Sequence, residues 1–198
     1  MASHRRRRSL FFSPLAVALL GTLLSGCLET KAVIDTEGGA KIEMRVANLN
    51  AEGDRRMRAQ LKSPSVELLS AAYADGTGTY ELAVRDLTKL RTAPVFRHLR
   101  IVHSGLGSAR RTLDLSIPRR EKTATETNLP GRDYVVIDLT LSVPGAIVET
   151  NGTAVDTNTA RWKLHIPDML GKGFVKVHLV YQMDTRNGAG AKESATTP

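Results

Sequence analysis

The groups that could do chemistry in this sequence are few. There is one thiol, Cys27, then four histidines beyond it, His98, His103, His165 and His178, and carboxylates such as Asp114 and Asp138 set among apolar residues. A metal site needs three or four such ligands converging on one point. His165 and His178 alternate with apolar residues in strand-like runs and so face solvent, while His98 and His103, five residues apart, fall on opposite faces of an extended segment. Asp114 and Asp138 also take outward positions, with no partner carboxylate at a spacing suited to acid and base work. The nucleophile elbow G-x-S-x-G, a phosphate loop, G-x-G-x-x-G and H-E-x-x-H are all missing. The expectation is a protein that is not an enzyme and carries neither metal nor cofactor.

The lone cysteine has a better explanation in what precedes it. "HRRRR" supplies a positive start, "LFFSPLAVALLGTLL" an apolar run of about 15 residues, and "LSGC" a close of small residues, the three parts of an export signal. A membrane-spanning helix needs about 20 apolar residues, and this shorter run is interrupted by Ser13 and Pro14. Leu24-Ser25-Gly26-Cys27 is similar to the lipobox of bacterial lipoproteins, in which the cysteine takes a diacylglycerol. Lipidation also accounts for a thiol with no second cysteine to pair with, since a free thiol is a liability in an oxidising compartment. Leu28 stands where an aspartate would hold a lipoprotein on the inner membrane of many enteric bacteria. The expected location is therefore the cell membrane or outer membrane, on the extracytoplasmic side.

Cleavage before Cys27 also changes the charge. The chain has 28 basic and 20 acidic residues, and Arg5 to Arg8 lie in the signal with no acid beside them, so the mature net charge is +4 rather than +8. The remaining charges alternate in sign without forming an arm or cluster, and a nucleic-acid partner is not expected.

Beyond Cys27 the apolar pattern becomes an alternation of period two. Ile42, Met44 and Val46 share one side, as do Tyr80, Leu82 and Val84; Leu113, Leu115 and Ile117; Val135, Ile137, Leu139, Leu141 and Val143; and Trp162, Leu164 and Ile166. "FVKVHLVYQM" repeats the pattern near the end, and "KAVID" and "HLRIVHS" are weaker versions of it. These strands predict an antiparallel sheet with one wet face. Helices are expected at "AEGDRRMRAQLK", at "DLTKL", and at "SPSVELLSAAYADG", where Ser63 caps, Pro64 opens and Asp75-Gly76 stops the element. The fold class is α+β, a twisted antiparallel sheet packed on one or two short helices. The domain plan is a signal over 1–26, a folded domain over 27–183 with a long polar loop over 118–133, and a polar disordered tail over 184–198.

The segment from Leu141 to Leu164 is the most distinctive. Pro144-Gly145 breaks a strong strand, Asn151-Gly152 offers the positive φ values of a type I′ hairpin, and Trp162-x-Leu164 opens the next strand. This order, with "SGCLET" at the mature start and "RDLTKL" before the middle of the domain, resembles the LppM-like family of bacterial envelope lipoproteins. The resemblance covers most of Cys27 to Tyr181. It implies an α+β domain at the outer face of a membrane, handling lipid and bringing no catalytic residues. Mycobacterial-type members add a hydrophobic segment after the domain, whereas Tyr181 here is followed by polar sequence, so attachment to the membrane is expected to rest on Cys27.

Two functions fit these observations. In one, the domain binds an acyl chain or lipid head group in a pocket lined by Leu69, Tyr73, Val84, Ile137, Leu139 and Trp162. In the other, the same residues fill an ordinary core, and a sheet edge or polar loop docks a protein partner of the envelope. Trp162 favours the core under either reading.

Overall fold

The structure, a computed structural model, describes residues 27–121 and 134–183; the expected signal, most of the polar loop and the tail lie outside the described residues. In chain order the elements are β1 (Leu28–Ile34), β2 (Ala40–Val46), α1 (Ala51–Gln60), β3 (Val66–Ala74), β4 (Thr77–Val84), 3-10 turns over Leu87–Thr92 and Pro94–Phe96, β5 (Arg100–Ser104), β6 (Arg110–Pro118), β7 (Val135–Ser142), β8 (Ala146–Thr150), β9 (Thr153–Ala154), β10 (Thr159–His165), α2 (Ile166–Met169) and β11 (Phe174–Gln182).

The strands form two sheets, one of seven strands in the order β3-β4-β2-β1-β7-β10-β9 and one of four in the order β5-β6-β11-β8. They share one core. The period-two alternation places Ile42, Met44, Leu139, Leu141 and Trp162 of the larger sheet inward, opposite Leu113, Val177, Leu179 and Tyr181 of the smaller. The α+β class holds, with a second sheet added to the expected layers. Among the described strands all pairings are antiparallel except one, where β1 runs parallel to β7 with Leu28 opposite Ile137 and Ala32 opposite Leu141. Strand β7 is irregular at its start. Leu164 lies opposite Ile137 but His165 lies opposite Val135, so Val136 is the extra residue and turns into the core.

Helix α1 forms as the sequence predicts. Asn50 caps it by accepting a hydrogen bond from the Gly53 N–H at 2.7 Å, and Met57 faces the core. Its buried Asp54 carboxylate accepts from the Tyr80 hydroxyl and from Arg58 Nε, both at 2.8 Å, tying the helix to β4. The "DLTKL" helix is present as a 3-10 turn, capped by Asp86 through the Thr88 N–H at 2.9 Å.

Two expectations are overturned. The segment from Ser63 to Gly76 is not a helix: Val66–Ala74 is strand β3, paired along β4. Asp75 and Gly76, at φ 49° and 73°, form a two-residue hairpin turn instead of a helix stop, and pairing with β4 outweighs the helical propensity of Leu and Ala. Asn151-Gly152, in turn, does not take positive φ, since neither residue is in the left-handed region. Gly152 is required for a different reason. A Cβ there would lie 2.7 Å from Nε1 and 2.8 Å from Cδ2 of Trp162, so only glycine lets the backbone cross the indole.

Candidate functional site: an apolar cavity beside Cys27

The inward faces of the two sheets meet closely at one side of the domain and diverge at the other. On the close side Asn151 acts as a clamp between them. Its Oδ1 accepts from Trp162 Nε1 of β10 at 2.8 Å and from the His178 N–H of β11 at 2.9 Å, while its Nδ2 donates to the Lys176 carbonyl at 2.8 Å. On the other side the sheets enclose a cavity of about 210 Å³. Ala32, Ile42, Met44, Leu139 and Leu141 line it from the larger sheet, Leu113, Leu115 and Ile117 from β6, and Leu87, Leu90, Val95, Phe96 and Leu99 from the 3-10 segment and the loop after it.

The exposure of these residues locates the mouth. Ala32, Leu87, Leu90, Leu113 and Leu141 are buried, whereas Leu28, Phe96, Leu99, Pro118, Ile137 and Met169 are half-exposed and His98 is exposed. Most of this group gathers where β1 begins, and Thr30, Val95, Ile101 and Leu115, also half-exposed, continue along the lining. Leu28, which immediately follows Cys27, pairs with Ile137, and β10 ends nearby in α2. The chain leaving β6 reaches the same end, where the Arg120 N–H donates to the Met169 carbonyl at 2.8 Å. The cavity therefore opens at the end of the domain that carries Cys27. Cys27 itself is half-buried and unpaired, and burial, reinforced by Asp138 and Glu29, pushes its thiol above the ordinary value.

Of the six residues picked out for lipid contact, the structure brings Ile137 and Leu139 to the cavity wall. Val84 and Trp162 are buried in the core and do not line it, although Trp162 lies opposite the lining Leu139 on the neighbouring strand. Leu69 and Tyr73 lie on the exposed strand β3, with 46% and 36% of their surface accessible, and Tyr73 donates through its hydroxyl to the Leu49 carbonyl at 3.1 Å. Sequence reading missed the residues of β6 and of Val95–Leu99 as lining. The alternation in "RTLDLSIP" was the available signal for β6, but nothing in the sequence says which strands stand across the gap.

The titratable groups are dispersed over the fold. Asp138 is held on the outward face by Arg161, whose Nε donates to it at 2.7 Å, and this bond lowers the carboxyl below its usual range. His178 Nδ1 meets Asp114 at 2.7 Å across β11 and β6. His103 turns inward, where its Nε2 and the Tyr181 hydroxyl lie 2.8 Å apart and its Nδ1 is buried with no hydrogen-bond partner among the described residues. Burial, reinforced by the charge of Arg111, lowers this imidazole below its ordinary value. Among the described residues no group of three or more His, Cys, Asp or Glu is placed to hold a metal ion, and no helix is long and apolar enough to cross a membrane.

This two-sheet arrangement is similar to a structure already solved by NMR, the folded domain of LppM from Mycobacterium tuberculosis. The two align with a TM-score of 0.50 and 16% identity, over 82% of this chain and 92% of that one. The domain has the LppM fold. At this identity the likeness carries the fold alone. It agrees with the resemblance read from Pro144-Gly145, Asn151-Gly152 and Trp162. No protein-family model and no curated protein matches the chain.

Proposed function

We propose that this chain is an envelope lipoprotein, tethered through Cys27, whose LppM-like domain takes an acyl chain of an envelope lipid into the cavity between its sheets. The observation that carries the reading is the cavity, lined by apolar side chains apart from Thr30, His98 and Arg120 and open beside the residue that would bear the anchor. Its volume, about 210 Å³, is below the range of a drug-sized pocket, and it suits part of a hydrocarbon chain with the polar remainder of the lipid left outside. Apolar cavities of this order stay dry and accept apolar guests. The reading assigns no reaction to the domain and places it on the extracytoplasmic side of the cell membrane or outer membrane.

Native mass spectrometry of the mature protein tests the pocket. The expected result is a lipid adduct that Ala32→Leu, which fills the cavity from β1, removes. A wild-type protein without adduct, or an adduct unaffected by the filling, contradicts it. The anchor has its own test: Cys27→Ala abolishes palmitate incorporation, because acyl transfer needs the sulfur, and persisting label overturns that assignment. The exposure of Leu69 and Tyr73 on edge strand β3 favours a second reading, an assembly lipoprotein that pairs this edge with a partner strand. Under that reading the protein carries no lipid adduct, and substitutions in β3 disturb a complex.

A further inference from the structure

The cavity mouth is bordered by cations. Arg97 lies between Phe96 and His98, Arg100 follows Leu99, and Arg119 and Arg120 follow Pro118. Lys172 sits in the loop from α2 to β11, near Met169. Arg97, Arg100, Arg119 and Lys172 are exposed, and Arg120 lines the mouth itself. The acids at this end are the exposed Glu121, Asp168, whose carboxylate already accepts from the His165 N–H at 2.8 Å, and Glu29 and Asp138 beside Cys27, which are paired with Lys31 and Arg161. The opposite end of the domain differs. The turn after β1 carries Asp35 and Glu37, with Asp86 and Asp156 at the same end, against exposed Arg85 and Arg110, while Arg111 is buried and donates to the Thr36 carbonyl at 2.6 Å. Among the described residues the domain is thus net cationic around the mouth and close to balanced at the far end, a separation that the alternating charges of the sequence conceal.

Half-exposed apolar side chains surrounded by exposed arginines and a lysine match a surface that rests on lipid, with apolar groups reaching the acyl boundary and cations meeting anionic head groups. We propose that the mouth end lies on the anionic surface of the bilayer, so that the cavity opens onto the membrane rather than into the aqueous space. This rests on the reading of Cys27 as the anchor for its tether, while the patch is a second, electrostatic attachment. An acyl anchor combined with a cationic patch holds a domain in one orientation where the anchor alone leaves it free to tumble on its tether. The occupant of this surface is the membrane, in preference to an acidic protein, because the anchor and the patch stand at the same end.

The test uses the mature lipoprotein reconstituted into vesicles. Cys27 is the only natural cysteine, so with its sulfur acylated a single introduced cysteine takes a polarity-sensitive fluorophore without ambiguity. One label is placed at the mouth through His98→Cys and one at the far end through Leu106→Cys. In phosphatidylcholine vesicles containing phosphatidylglycerol, at low salt, the mouth label is quenched by brominated lipid and the far label is not. High salt, pure phosphatidylcholine, or the combined Arg97→Glu, Arg119→Glu and Lys172→Glu substitutions release the mouth label, with each cation contributing about fivefold to the contact. Equal quenching of the mouth label in neutral and anionic vesicles at both salts overturns the proposal, and so does quenching of the far label in its place. Failure of the anchor reading is seen separately. An unlipidated protein does not float with neutral vesicles in high salt, yet it still binds anionic vesicles at low salt, mouth first, if the patch is as described.

Discussion

The Trp162 side of the core and the cavity side are built from the same kind of alternating strands, yet one is tightly filled and the other is not. Around Trp162 the sheets are held together by specific contacts: the indole donates to Asn151, Asn151 makes three hydrogen bonds to β11, and the indole leaves no room for a side chain at Gly152. Beyond Leu139, the cross-strand partner of Trp162, no such clamp is found toward the mouth among the described residues, and half-exposed residues such as Phe96, Leu99 and Met169 border the gap. Apolar patterning brings two sheets face to face, whereas a particular amide, an indole and a missing Cβ decide how closely they approach.

The largest effects should appear where the packing is closest. Trp162→Ala removes a buried indole from a site held by neighbours on both sheets, and urea melts should show a loss of about 3 to 5 kcal/mol. Gly152→Val forces a side chain into that indole and should cost about 1 to 3 kcal/mol, the range for overpacking. A Trp162→Ala protein as stable as the parent would mean that the clamp does not hold the sheets.

The comparison is sharpest when one kind of substitution is made on both sides. Ala160 is fully buried next to Trp162, whereas Ala32 lines the cavity. Ala160→Leu should destabilise by about 1 to 3 kcal/mol, and Ala32→Leu should leave stability unchanged or raise it by up to about 1 kcal/mol, because the added carbons occupy empty space. Thermal melts that place both variants on the same side of the parent would show that the two regions do not differ in packing.

Much of this was legible in advance, and the failures have identifiable causes. Strands β2, β4, β6, β7, β10 and β11 follow from the period-two pattern, and α1 from its charged, weakly amphipathic sequence. Trp162 as a core residue follows from its place in an alternating run. The segment Val66–Ala74 was misread because its Leu and Ala residues favour a helix in isolation, and a partner strand supplied by the Asp75-Gly76 turn decides otherwise. That error moved Leu69 and Tyr73 from an exposed edge into an imagined pocket. The parallel pairing of β1 with β7 and the division into two sheets could not be read at all, since the period shows which face of a strand is buried and not which strand lies opposite.

The smallest predicted effect concerns His103, which lines neither the clamp nor the cavity. Its folded pKa is lowered by burial, so the folded state favours the neutral ring, and the unfolded chain binds more protons below the ordinary imidazole value near 6.5. Stability should therefore be constant above that value and fall as the pH drops from it toward the lowered folded pKa. Its facing groups are Tyr181, Arg111, Asp35 and Asp86, of which Arg111 works against protonation and the two carboxylates in its favour. Urea midpoints measured from neutral to mildly acidic pH should show the decline in the parent and a smaller one in His103→Gln.

The central claim is that the space between the sheets receives an acyl chain through the end beside Cys27. Methyl NMR of the mature domain, titrated with a short-chain phospholipid, tests this most directly. Saturable shifts are expected at Ile42, Leu113, Leu139 and Leu141, whose side chains line the cavity, with Leu164, Val177 and Leu179 of the filled side unmoved. Shifts confined to Leu69 and its neighbours on β3, or no saturable shift at any of these methyls, would contradict it.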